Sequence, residues 1–359
     1  MDKIAKASAT ERRRVFQDTA DGLSIRVAMV EKDFWVCWVL GRIFADAWLG
    51  QVLRFRGGTS LSKGYGLIKR FSEDIDITLD KALVLTDDKS KALLRSKKSY
   101  KEHKEEVSEI AARYIGTTLK DKIKAVVRDM VEVYTDEEYA RKYPKLHSGR
   151  IDNKNLHVVF PKVADDYSGL LPDILLEIGI LSALTPNEPR PILPYIAEQN
   201  PQLEIEPIIA PTIMAKRTFW DKATILHREF YRPATKRDKE TDEVVPSHTP
   251  ERYSRHYHDL YQMGRVAVKD EALADFDLLK EVIEYKNQFY PCGWGHTFDE
   301  CATGGLHLLP NENNHALLIE DYEKNTKRMI FGDTPEWKTI LEFLKKLEDE
   351  INKEGKNGI

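Results

Sequence analysis

No apolar run in this sequence reaches the ~20 residues that a bilayer crossing needs, because charge interrupts every one of them. The first residues, Met1 to Arg14, carry no apolar core of the kind a secretory signal has. The chain therefore reads as soluble and cytoplasmic, with no membrane partner. Cysteine is scarce: Cys37, Cys292 and Cys301 are three thiols in 359 residues, too few and too scattered for a disulfide framework. Cys292, His296 and Cys301 also lack the fourth ligand and the spacing of a zinc knuckle. Charge of one sign is missing too. The 55 basic and 59 acidic side chains leave a net charge of −4, so any nucleic-acid site has to be a local patch. No internal repeat is visible, which argues against a solenoid.

What is present is enough apolar material, 42% of the chain, for two lobes. From Glu11 to Leu49 apolar residues recur at helical spacing, with Val27, Val30, Phe34, Trp35, Trp38 and Val39 on one wide face. Strand-like runs follow at Gln51–Arg56, Asp74–Leu79, Leu156–Phe160 and Asp173–Ile178. Seven prolines between Thr185 and Pro211 exclude a long regular element there. The lobe boundary is placed in that stretch, giving domains 1–205 and 206–359. The later part reads as a helical bundle. It ends in a helix started by Asp333-Thr334-Pro335 and striped with Trp337, Ile340, Leu341, Leu344, Leu347 and Ile351. The polar stretch Pro233 to Pro250 reads as a long mobile loop.

The chemistry concentrates in Phe55-Arg56-Gly57-Gly58-Thr59-Ser60-Leu61-Ser62-Lys63 and in Arg70-Phe71-Ser72-Glu73-Asp74-Ile75-Asp76-Ile77. Residues two apart on a strand share a face, so Asp74 and Asp76 project together while Ile75 and Ile77 enter the core. Paired carboxylates repel unless a cation sits between them, and oxygen-only ligands favour a hard ion such as Mg²⁺. Gly57 and Gly58 let the backbone approach a triphosphate, Thr59 and Ser60 offer hydroxyls and amides, and Lys63 can neutralise a phosphate. A third carboxylate is sought on a neighbouring strand. In Asp173–Ile178 the alternation puts Asp173 and Glu177 on one face, and Glu177 is preferred. A lone glycine pair is usually a tight turn and a lone Asp-x-Asp a solvated strand end. Their conjunction in strand-turn-helix-strand order is what points to nucleotide chemistry.

This combination resembles the nucleotidyltransferase pattern of a glycine turn followed by an Asp-x-Asp strand, with 15 residues, Thr59 to Glu73, in between. The wording Gly-Gly-Thr-Ser-Leu-Ser-Lys-Gly-Tyr-Gly with Arg-Phe-Ser-Glu-Asp-Ile-Asp is similar to the AbiEii/AbiGii family of bacterial type IV toxins. Thr218–His227 and Arg255-His256-Tyr257-His258-Asp259-Leu260-Tyr261 look like that family's lysine motif and arginine-to-aspartate motif. The resemblance extends from about Glu31 to Asp321-Tyr322. It implies an α+β fold: a polymerase-beta-like nucleotidyltransferase domain, with a small mixed sheet and helices, plus a helical C-terminal lobe. It further implies that Ser60 and Lys63 hold phosphates, that Asp74 and Asp76 bind Mg²⁺, and that Lys222 with Asp259 completes a cleft between lobes. Read without the family, Lys222 is a surface lysine as readily as a site residue, and Asp259 a helix salt-bridge partner.

Two enzyme readings follow. In one, the chain moves a nucleoside monophosphate from a nucleoside triphosphate onto an RNA end, first of all the tRNA 3′ end, blocking translation until a cognate antitoxin restrains it. The lysine-rich window Lys89–Lys104 and the segment Arg228–Arg237 would then supply phosphate contacts. In the other, the same nucleotide site modifies a protein, such as the antitoxin, or a small molecule. A non-catalytic binding module fits poorly with Gly58, Ser60, Lys63, Asp74 and Asp76 all present. A phosphohydrolase centre at His256, His258 and Asp259 fails because helical positions two apart diverge.

Overall fold

The computed structural model describes residues 1–147, 149, 151–238, 241–247, 249–292, 294 and 296–357. The chain forms two compact units. The first comprises Met1–Gly66 and Ser72–Ile213, and the second Leu67–Phe71 and Met214–Ile359.

The first unit is built on a mixed seven-stranded sheet. Its strands are β1 (Leu53–Arg56), β2 (Ile75–Leu79), β3 (Glu132–Thr135), β4 (Asn155–Val159), β5 (Ile174–Gly179), β6 (Asn187–Ile192) and β7 (Ile208–Ile213). They lie in the order β3-β4-β5-β2-β1-β7-β6. β2 runs antiparallel to β1 and parallel to β5, while β1 runs parallel to β7. Alternation sends Phe55, Ile77, Leu156, Leu176 and Ile178 to one face, where each is at most 3% exposed. The helix Val27–Ala45 packs on that side, against β5 and β7.

That helix is buried along almost its whole length, including three consecutive charged residues. Each of the three ties down a different segment. Glu31 accepts the N–H groups of Val163 and Ala164 and the Tyr167 hydroxyl, at 2.7–2.8 Å. Lys32 pairs with Glu73 at 2.7 Å and donates to the Leu171 carbonyl. Asp33 pairs with Lys63 and accepts the Tyr195 N–H. Buried charge is tolerated here because every member is matched.

The proline-rich stretch corrects the sequence reading in one respect. It holds no long element, but it does contribute β6 and β7, with Pro189 opposite Pro211. β6 is the outermost strand, where a missing N–H leaves no interior ladder bond unmade. β3 also went unforeseen, hidden in charged sequence.

The second unit is mainly helical, with helices Ala215–Phe230, Arg255–Gly264, Val268–Leu273, Phe276–Phe289 and Trp337–Asn357. In the last of these Trp337, Ile340, Leu344, Leu347 and Ile351 are buried and Leu341 half-buried, as the apolar stripe requires. The segment expected to be a loop from Pro233 to Pro250 instead carries a hairpin of Thr235–Arg237 with Val244–Pro246. Residues 239, 240 and 248 of that segment lie outside the described residues. Among the described residues no helix is long and apolar enough to cross a membrane.

Candidate active site

β1 delivers the chain to Gly57, whose φ of +78° only glycine adopts at little cost. Space demands glycine as well, since a Cβ here would lie 1.9 Å from Asp76 Oδ2. Gly57–Thr59 make one helical turn, with Gly58 half-buried within it, and Ser60–Gly64 continue as a π-helical turn. The two hydroxyls expected to face phosphates are engaged within this motif. Ser60 Oγ donates to the Gly57 carbonyl at 2.8 Å, and Thr59 Oγ1 donates to the Asp74 carbonyl. The structure thus brings the glycine turn and the start of β2 together: Thr59 holds Asp74 by its backbone, and Gly57 abuts Asp76.

Register places the carboxylates in a polar row. Asp76 stands opposite Arg56 on β1 and beside Glu177 on β5, and Asn155 on β4 stands opposite Glu177. Asp74 and Asp76 are half-buried and Glu177 is exposed, while Ile75 and Ile77 are buried behind them. Asp173, the other candidate for a third carboxylate, is 1% exposed. It accepts the Tyr139 hydroxyl at 2.9 Å and faces His157 Nδ1 at 2.7 Å. Its oxygens therefore belong to an internal network, and Glu177 is the carboxylate left alongside Asp76.

The donor set is all oxygen, which suits a hard divalent ion. Among the described residues no group of three or more His, Cys, Asp or Glu side chains is arranged to hold a metal ion. Glu177 is thus not gathered into a ready-made cage with Asp74 and Asp76. An aspartate pair supplemented by substrate oxygens and water is the fit these residues offer, and it is the kind Mg²⁺ commonly uses.

Lys63 is placed differently from the simplest expectation. Its ammonium lies 3.0 Å from both Asp33 and Glu198 and 3.8 Å from the centre of the Tyr195 ring, on a side chain only 5% exposed. Burial pushes the Asp33 carboxyl up to about 6 against the opposing pull of Lys63. Burial alone would lower the Lys63 pKa, but the Asp33 carboxylate outweighs it and the ammonium is favoured. Lys63 therefore fastens the turn after Gly57 to the Val27–Ala45 helix.

In the second unit, Lys222 and Asp259 prove to be buried partners rather than surface groups. Lys222 Nζ is 2.8 Å from Asp259 Oδ2, and Phe219, Ala223 and Leu226 of the same helix are fully buried. Arg70, in the Leu67–Phe71 segment, donates to both Asp259 oxygens at 2.7 and 2.8 Å. Burial would raise the Asp259 pKa, but Arg70 and then Lys222 hold it well below the usual carboxylate range. Burial lowers the Lys222 pKa despite Asp259. His256 Nδ1 is 3.4 Å from Lys222 Nζ, and burial with that neighbouring charge keeps its imidazole neutral. Arg70 and Glu73 stand inside the sequence motif with no role legible there, and the run Glu31-Lys32-Asp33 shows none either, although three charges amid an aromatic helix are a usable signal.

A mixed sheet whose β1-turn-β2 unit carries a diglycine turn and an Asp-x-Asp strand is the framework of a nucleotidyltransferase. The pattern of the family described as nucleotidyl transferase AbiEii toxin, type IV TA system, matches residues 38–343. The chain belongs to this family of nucleotidyltransferase toxins, which implies a nucleoside triphosphate substrate and an antitoxin partner. Among solved structures the chain is similar to MenT4, a nucleotidyltransferase toxin from Mycobacterium tuberculosis. That match has 15% identity and a TM-score of 0.41, and it covers 93% of this chain and 98% of the other. No curated protein matches the chain.

Proposed function

We propose that this toxin transfers a nucleoside monophosphate from a nucleoside triphosphate to an RNA acceptor, the tRNA 3′ end first among them, in the cytoplasm and under the control of a cognate antitoxin. The observation that carries the reading is the seat of Asp76, pressed against Gly57 and standing between Arg56 and Glu177. A triphosphate laid on the glycine turn would meet backbone N–H groups and the two aspartates together. Asp74 and Asp76 would hold Mg²⁺ with substrate oxygens and water, and Glu177, next to Asp76 on β5, would come in as a third carboxylate only once ion and substrate are bound. The ion, when bound, supplies charge stabilisation for the in-line displacement. Arg56, opposite Asp76 and hydrogen-bonded to the Ser182 hydroxyl, adds positive charge beside the same phosphates. Gly58, Thr59 and Ser60 shape the phosphate seat, and Lys63 supports it from beneath. Lys222 and Asp259, matched to the family's motifs, are assigned catalytic roles.

An RNA acceptor is supported by a basic surface on the first unit. Lys89, Lys91, Arg95, Lys97, Lys98, Lys101 and Lys104 are all exposed, on the helices Asp88–Ala92 and Lys97–Glu102, in the turn between them (Arg95) and at the start of Lys104–Tyr114.

The test is to incubate the protein with Mg²⁺, total tRNA and each α-labelled nucleoside triphosphate in turn, beside Asp74→Ala/Asp76→Ala. Label on tRNA with the intact protein alone is expected. Label on protein, or transfer retained by the double variant, would overturn the acceptor or the metal assignment respectively.

A further inference from the structure

At the C-terminal end of the helix that bears Lys222, two arginines gather on one tryptophan. The guanidinium of Arg228 lies 5.4 Å, and that of Arg232 5.0 Å, from the centre of the Trp294 ring. Beside them His296, exposed, stacks on Tyr231 with ring centres 3.6 Å apart and planes 16° from parallel. Trp294 is half-buried and has a φ of +51°, a left-handed conformation that a bulky residue rarely adopts. Such a conformation persists where the surroundings fix the side chain, and it is concentrated at binding sites.

The charges at this place are unevenly matched. Arg232 pairs with the buried Glu229 at 2.6 Å. The Arg228 side chain makes no ion pair or hydrogen bond among the described residues, and its Nε is buried without a partner. A guanidinium held against an indole with no carboxylate has N–H groups to donate to an anion. Cations continue beyond it on the hairpin strand that follows Arg232, where Lys236 stands exposed beside Arg237, itself paired with Asp242 at 3.3 Å. Several cations in succession fit a chain of phosphates better than a single nucleotide. Interleaved aromatic faces distinguish a nucleic-acid strand from an acidic polypeptide.

We propose that Trp294, Arg228 and Arg232 form a platform for the single-stranded end of an RNA acceptor, with a base stacked on the aromatic surface and phosphates on the guanidiniums. This rests on the RNA-acceptor reading and names the surface that serves it. The site takes any base, since a stacking face reads no sequence, and its affinity falls with salt.

The experiment measures binding of a fluorescein-labelled six-nucleotide oligocytidylate to the full chain, to Trp294→Ala, Trp294→Phe and Arg228→Gln, with thermal melting to confirm folding. Trp294→Ala and Arg228→Gln are expected to weaken binding about tenfold, with Trp294→Phe between them and the parent. The KM for the nucleoside triphosphate should stay unchanged, and polyglutamate should fail to displace the oligonucleotide. Parent-like binding by both variants, with transfer to tRNA intact, overturns the platform and leaves the RNA acceptor standing. Equal displacement by polyglutamate also overturns it. No oligonucleotide binding by the parent chain, together with label transferred to protein, overturns both.

Discussion

Arg70 grips Asp259 with a two-pronged hydrogen bond, Nε to Oδ1 at 2.7 Å and an Nη to Oδ2 at 2.8 Å, and Lys222 approaches the same Oδ2. The carboxylate is fully buried between two cations. Removing its charge strands both of them in a low-dielectric interior, which costs far more than the pair contributes when intact. Asp259→Asn should therefore lower stability by about 3–5 kcal/mol, read from the urea midpoint. Arg70→Lys keeps the charge but loses the planar fork, and it should be measurably less stable than the parent. Parent-like midpoints for both would refute the grip.

Gly57 and Asp76 make a second tight relationship, testable without nucleotide. Gly57→Ala forces a Cβ into the Asp76 carboxylate and an L-residue to φ +78°. The backbone alone should cost about 1–2 kcal/mol, and the displaced carboxylate should abolish transfer. Combining Gly57→Ala with Asp76→Ala takes the carboxylate out of the clash, while the Cβ of residue 76, at 2.7 Å, and the backbone cost remain. A double-mutant cycle should return a coupling of about 0.5–3 kcal/mol, and additive losses would show that the two do not touch.

Much of this was legible in the chain. Ile75 and Ile77 alternate with Asp74 and Asp76, so β2 announces which side chains face away from the core, and the same holds for Glu177 between Leu176 and Ile178. The order of strands was not legible. That Asp76 neighbours Glu177 depends on β5 pairing with β2, and they lie about a hundred residues apart. Arg70 went unassigned for the same reason, because its partner is 189 residues away. Proline concealed β6, since local propensity cannot tell an edge strand from a loop, and Pro211 did the same for β7, which lies inside the sheet between β1 and β6. Lys63 sits in a phosphate-loop motif and reads as a phosphate ligand. Only tertiary packing discloses Asp33 beside it.

The Asp33–Lys63 pair separates a structural from a purely ligand-binding lysine. If Lys63 served phosphate alone, Lys63→Met would raise the KM for nucleotide and leave the melting midpoint where it was. The observed pairing predicts a stability loss of about 3 kcal/mol, because the buried Asp33 carboxyl loses its counter-cation, keeps little beyond the Tyr195 N–H, and must either bear an unmatched charge or take up a proton. Asp33→Leu/Lys63→Met should be less damaging than Lys63→Met, because no charge is left unmatched. A double variant no better than the single one would show that the pair is not the source of the loss.

His157 supplies a dependence on pH that the site itself does not need. Its Nδ1 faces Asp173 at 2.7 Å and its Nε2 faces Asp136 at 2.9 Å, an arrangement of two carboxylates that favours the imidazolium, in which both nitrogens donate. Tyr139 stacks on it at 4.0 Å, with His147 at 6.4 Å, itself bonded to Asp136. Burial would lower the His157 pKa, but Asp173 and then Asp136 outweigh it and raise it above the ordinary histidine value. Asp136, whose burial is overcome by the Asp152 N–H and the two histidines, is lowered. The signs follow by linkage. Stability owed to His157 is complete below its unfolded pKa of ~6.5 and is lost as pH climbs through the raised folded value. Stability owed to Asp136 is present above its ordinary value and is lost on acidification through the lowered one. Urea midpoints taken from about pH 5.5 to about pH 9 should fall for the parent chain and stay flatter for His157→Gln. Parallel profiles would mean that the imidazolium contributes nothing. Since Asp173 opens the strand that bears Glu177, transfer activity is expected to decline over the same alkaline range in the parent, and to be low but flat in His157→Gln.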